Sequence, residues 1–144
     1  MPKTVICVLF CMVIFLQSCS TITRRSVSEI ENGPFKVMVR TQEFNHSGTE
    51  IVDICVANTS SHEFPDKPDK TSQCFLKGYD FTALSVKWQR PSVIAVSFHS
   101  GRVMHFKNSA FAYPGGPVPE AFHTLLCDGC EPEPKYPHPD DVKR

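Results

Sequence analysis

The chain predicts a mainly β fold, a small antiparallel sandwich or open barrel of five to six strands, because apolar and polar residues alternate over short stretches and turn-forming residues separate them closely. Over 35–41, Phe35, Val37 and Val39 share one face. Residues 45–48 form a turn signal, and over 50–57 Val52, Ile54 and Val56 share a face, which sets Asp53 and Cys55 on the other. These two segments should pair as a hairpin. Residues 58–70 hold prolines at 65 and 68 among alternating charges and read as a long loop. Alternation returns with Leu84, Val86 and Trp88, then Ile94, Val96 and Phe98, then Met104 and Phe106, with turns at 89–91 and 99–101. That pattern predicts a meander of three antiparallel strands whose eight named side chains face one core, with Trp88 as its anchor. Residues 111–113 offer a last short strand before Pro114-Gly115-Gly116-Pro117. Residues 119–126 read as a short C-terminal helix, with Pro119 at its first position and Phe122, Leu125 and Leu126 on one face, or equally as a strand.

The first twenty residues carry an address. Lys3 precedes an apolar run over 4–16, which stops at Leu16-Gln17-Ser18-Cys19. As a helix at roughly 1.5 Å per residue the run spans about 20 Å, short of the about 30 Å hydrocarbon core that a spanning anchor must cross. The Leu16–Cys19 pattern resembles the lipobox of bacterial lipoproteins, in which an aliphatic residue and two mostly small residues precede an invariant cysteine. Leu16 and Ser18 match, and Gln17 is a less usual filler. The resemblance implies cleavage before Cys19, a covalent lipid on that residue and a domain held at a membrane, since several acyl chains anchor a soluble domain where one does so marginally. Ser20 stands where Asp would retain an enteric-type lipoprotein in the inner membrane, so the resemblance favours the outer membrane and its periplasmic face, with surface exposure open. The implied organisation is a signal peptide at 1–18, a lipidated Cys19 with a polar tether to residue 34, a β domain at 35–130, and a proline-rich tail at 131–144.

Fifteen basic and fifteen acidic residues, with no like-charge run longer than two, leave no electrostatic footprint for nucleic acid. Of the seven cysteines, Cys7 and Cys11 leave with the signal and Cys19 takes the lipid, so Cys55, Cys74, Cys127 and Cys130 remain. Four cysteines in an oxidising compartment predict two disulfides with three connectivities open, Cys55–Cys74 with Cys127–Cys130 being favoured.

Cys127-Asp128-Gly129-Cys130 is the sharpest local pattern. As a redox pair it lacks a helix N-terminus to stabilise a thiolate. With His123 it makes His-x3-Cys-x2-Cys, three residues that could hold copper or zinc. The simpler expectation is a structural bridge that locks the end of the domain. His105 falls opposite Met104 and Phe106, where an outward-facing Asp53 is a conceivable partner. His46, His62, His99 and His138 show no helical ligand pairing. Glu63, Asp66 and Asp69 share a loop without calcium-loop spacing. No Gly-x-Ser-x-Gly elbow, Walker loop or dinucleotide fingerprint is present, and no catalytic residue is nominated.

The expectation is therefore a membrane-anchored protein-interaction module of the envelope, such as an immunity protein or an accessory subunit, rather than an enzyme. It calls for no cofactor beyond the covalent lipid. The alternative is a periplasmic metal-binding or thiol-redox protein that uses His123, Cys127 and Cys130.

Overall fold

The computed structural model describes residues 22–45, 47–65 and 72–130. They form a two-sheet β-sandwich of nine strands: β1 (Ile22–Asn32), β2 (Phe35–Phe44), β3 (Glu50–Asn58), β4 (Ser72–Thr82), β5 (Ser85–Arg90), β6 (Val93–Phe98), β7 (Ser100–Phe106), β8 (Ser109–Ala112) and β9 (Glu120–Asp128). One sheet has the order β1-β2-β3-β4-β7 and the other β5-β6-β9-β8. Every pairing is antiparallel except β6 with β9, which run parallel.

The expected hairpin forms between β2 and β3, with Val37 opposite Val56 and Val39 opposite Ile54. Its inward face meets Ile94 and Val96 of β6, Ala110 and Ala112 of β8, and Phe122 of β9 in one core. Phe35 and Trp88 both make T-shaped contacts with Phe122, with centroids 4.9 and 5.5 Å away. Aromatic pairs of this geometry add about 1 kcal/mol each beyond the apolar area they bury.

Four expectations are corrected. Nine strands form rather than five to six. The polar stretch read as a tether is strand β1 from Ile22 onward; it escapes an alternation test because all its residues are exposed except the half-buried Ile30 and Asn32. The C-terminal helix does not form. In β9 Phe122 and Thr124 are buried while Ala121, His123 and Leu125 are exposed, so the period is two, and the slot between β6 and β8 decides the conformation.

The three-strand meander also breaks. β5 and β6 pair, but β7 crosses to the other sheet and pairs with β4. There His105 stands opposite Lys77 and Val103 opposite Gly78, so Met104 is the extra residue of a bulge and is 61% exposed rather than buried. The remaining inward assignments on these strands hold: Ile94, Val96 and Phe98 are buried, and Leu84, Val86, Trp88 and Phe106 pack partly buried against the core.

The sheets are fastened along their edges. Beside β1, the Trp88 indole Nε1 donates to the Ile30 carbonyl over 2.9 Å, and Asn32 Nδ2 donates to the Pro91 carbonyl over 3.2 Å. At the other side the Phe111 amide donates to Gln73 Oε1 over 2.9 Å. Thr124 binds the connection between β7 and β8, its amide donating to the Asn108 carbonyl and its hydroxyl to that of Lys107.

Candidate functional site

Three described connections, 33–34, 59–61 and 113–119, meet at one end of the sandwich. From Ile22, β1 runs to Gly33-Pro34 at that end, where β3 also finishes and β8 gives way to 113–119. Asn58 organises the junction. Its Oδ1 accepts from the Ser60 amide at 2.9 Å and the Ser60 hydroxyl at 3.0 Å, the local turn that Asn favours, while its Nδ2 donates to the Tyr113 carbonyl at 3.0 Å. Thr59 secures the same loop to the β1–β2 turn, its amide and hydroxyl donating to the Pro34 carbonyl at 3.0 and 3.2 Å. Between these loops lies an open cleft of about 600 Å³ lined by Asn58, Ser60, Ser61, Tyr113, Gly115, Gly116 and Pro117. Gly115 has φ of +108°, a conformation that a side chain would strain. The lining is uncharged, with amide, hydroxyl and aromatic groups. It suits neutral polar contact and contains no acid–base pair. A smaller hollow of about 280 Å³ lies at the entry end among Arg24, Ser26, Thr41, Glu43 and Glu50.

The sequence-predicted residues lie elsewhere. Cys55 and Cys74 stand opposite each other on β3 and β4 and are joined by a disulfide. Their bridge sits on the face of the sheet turned away from the main core, where Met38, Cys55 and Ala57 form a second buried layer. The loop after β3 returns over this face: the Phe64 ring lies 4.1 Å from the Arg40 guanidinium, and the Pro65 carbonyl 3.9 Å from Cys74 Sγ. Beneath it Arg40 clasps Asp53 at 2.8 and 3.2 Å.

A cross-strand row runs Arg40, Asp53, Lys77, His105 over β2, β3, β4 and β7. Lys77 Nζ lies 3.8 Å from Asp53 Oδ1 and stands between that carboxylate and His105. Asp53 is therefore an ion-pair partner and not the acid of a His–Asp pair.

Cys127 and Cys130 are bridged at the end of β9, across a turn that Gly129 makes with φ of +72°. His123 lies on the exposed face of β9, opposite Ser109 on one side and Val93 on the other. Because β9 is extended, His123 and Cys127 are separated by roughly 13 Å, at about 3.3 Å per residue, too far to share an ion. Among the described residues no three His, Cys, Asp or Glu side chains come together. His62, Glu63, His99 and His105 are exposed. Cys19, the segment 1–18, the tail 131–144, His46, Asp66, Asp69 and His138 lie outside the described residues.

Sequence reasoning passed over the cleft. Asn58 and the Pro114-Gly115-Gly116-Pro117 run are both visible turn signals, but they sit far apart in the chain, and only the β3-to-β8 proximity of the folded sandwich joins them. No protein-family model, curated protein or solved structure matches this chain.

Proposed function

We propose that the chain is a membrane-anchored bacterial lipoprotein whose β-sandwich is a protein-interaction module, held by a covalent lipid on Cys19 at the periplasmic face of the outer membrane. One observation supports the module most directly: the polarity of β1. Its first residue, Ile22, follows Cys19 by three positions, and its eleven residues at about 3.3 Å each separate the entry end from the loop cleft by roughly 35 Å. An anchor at Cys19, three residues before β1, would therefore attach nearer the entry end than the cleft at Asn58, Ser61 and Tyr113. The uncharged lining favours a partner that offers neutral polar groups. Within the envelope an immunity protein or an accessory subunit of a larger assembly has this division of labour.

Two measurements test the reading. Labelling with a palmitate analogue should mark the wild-type chain and not Cys19→Ser; equal labelling of the variant removes the lipid anchor. A photo-crosslinking amino acid at Ser61 should capture a discrete protein in intact cells, while the same group at exposed Met104 should not. Failure to capture at Ser61 removes the cleft as the partner surface.

A further inference from the structure

We propose that β1 is a self-recognition edge through which two copies of this chain pair antiparallel, joining their five-stranded sheets into one continuous sheet. A sheet edge presents unpaired amide and carbonyl groups, and proteins commonly blunt it with short strands, bulges, lysines or prolines. Three of the four edges here are blunted in those ways. β8 has four residues. β5 has six, carries Lys87 and Arg90, and shifts register between Trp88 and Arg90. β7 is interrupted by two register shifts against β4. The fourth, β1, has eleven residues, no proline, and a shift only at its first residues, between Ile22 and Arg24. Trp88 and Asn32 fasten its far end to the opposite sheet, so the strand is held on the sandwich with its outer edge presented.

The charges on β1 favour a second copy over repelling it. Arg24 and Arg25 come early and Glu29 and Glu31 late, so an antiparallel copy brings opposite signs together. A two-fold axis normal to a continuous sheet must pair residues that share a face, which restricts the register to those centred on a residue. Centring on Val27 sets Arg25 opposite the partner copy's Glu29 and diagonal to its Glu31, twice by symmetry, with Ser26 opposite Ser28. Val27, 44% exposed, then meets its own symmetry mate on the axis. Centring on Ser28 would place Val27 against Glu29 and lose that contact. Arg25 and Glu29 each have an intrachain partner already, Glu29 accepting from Lys36 Nζ at 2.9 Å through both oxygens, yet the Glu29 side chain is 37% exposed, and a guanidinium has five donors and a carboxylate further acceptor sites for a second contact. The pairing lays the two amino ends at opposite ends of the ribbon, so anchor and cleft stay apart within each copy while each cleft comes beside the other copy's amino end. The pairing itself does not depend on the lipid.

The test uses the purified full chain in detergent with micelles in excess over protein. Light scattering should find a dimer. Under mild oxidation Val27→Cys should give a disulfide-linked dimer on a non-reducing gel, and Met104→Cys, exposed at the bulge of the opposite edge strand β7, should not. Arg25→Glu should weaken the dimer about tenfold or more, since two attractive cross-strand pairs become two repulsive ones. Arg25→Glu with Glu29→Arg should restore it. Because Glu29 also holds Lys36, circular dichroism verifies that the double variant is folded; if it is not, mixing Arg25→Glu chains with wild type decides, since the hybrid keeps one attractive pair and should bind more tightly than the variant alone. A monomer at every concentration, cross-linking at Met104 equal to that at Val27, or indifference to Arg25→Glu overturns the proposal.

Discussion

The indole N–H of Trp88 reaches across the sandwich and donates to the backbone carbonyl of Ile30 at 2.9 Å, tying an edge strand of one sheet to an edge strand of the other. The same ring packs T-shaped on Phe122, so one side chain serves both core and seam. Trp88→Phe keeps an aromatic ring and removes the donor. It should cost about 1 kcal/mol, the net value of one hydrogen bond, whereas Trp88→Ala should cost about 3 kcal/mol. Urea melts followed by circular dichroism separate the two. Equal losses would mean that the N–H and not the ring holds the seam, and no loss in Trp88→Phe would mean the reverse.

The inward face of β6 makes a sharper contrast with β7. Ile94→Ala should lose about 3 kcal/mol and Val96→Ala about 2 kcal/mol, through lost transfer energy and the cavity left behind. Met104→Ala should change stability by under about 0.5 kcal/mol, because the bulge turns that side chain into solvent. Denaturant midpoints at constant slope report all three.

That contrast shows what the sequence could and could not disclose. Alternation located β2, β3, β5 and β6, because each turns every second residue to the main core and keeps those positions apolar, even in β2 and β3, whose other face is also buried. It placed Phe106 correctly and Met104 wrongly, since one bulge residue inverts the phase beyond it and nothing local announces a bulge. β1 went unread for the opposite reason: with Ile30 alone half-buried among its apolar residues, no periodicity is required of it. In β9 the residues Phe122, Leu125 and Leu126 fit a helical face as well as a strand, and the neighbours β6 and β8 settled the matter. The cleft was illegible because Asn58 and Tyr113 meet only through the packing of separate strands.

Phe81 occupies a slot between two glycines. A Cβ on Gly78 or on Gly101 would drive into its ring, and a Cβ on Gly78 would also lie 2.5 Å from the Arg102 carbonyl oxygen. Gly101 further adopts φ of +151°. Either glycine changed to Ala should destabilise by more than about 2 kcal/mol through overpacking. Combining Gly78→Ala with Phe81→Ala should not restore stability, because the backbone oxygen stays in the way. Recovery in the double variant would show that the ring is the sole obstacle.

Asp53 tests the second buried layer. Its side chain is 9% exposed and that of Arg40 11%, and Phe64 covers the arginine. Asp53→Ala leaves a buried guanidinium without its carboxylate and should cost about 3 kcal/mol. Arg40→Met with Asp53→Ala removes both charges and should cost less than the single Asp53 change. A double-mutant cycle measures the coupling, and strictly additive losses would mean that the pair contributes nothing as a pair.

The two disulfides should differ in what they contribute. In the chain-entropy model the stabilisation grows with the loop that is closed, and the cysteines lie 19 residues apart in one bridge and 3 in the other. Replacing Cys55 and Cys74 by Ser should therefore cost about 3 kcal/mol, and it also frees the loop that carries Phe64 and Pro65 from the sheet. Replacing Cys127 and Cys130 should cost about 1.5 kcal/mol or less and leave capture at Ser61 intact, because that bridge lies at the end of the sandwich away from the cleft. Thiol titration of the full chain under native conditions, then after unfolding, checks that Cys55, Cys74, Cys127 and Cys130 do not react. Elemental analysis alongside it addresses the alternative chemistry. Stoichiometric zinc or copper that disappears in His123→Ala would require His123 to approach Cys127, which the extended backbone of β9 forbids, and would show that the end of this strand rearranges.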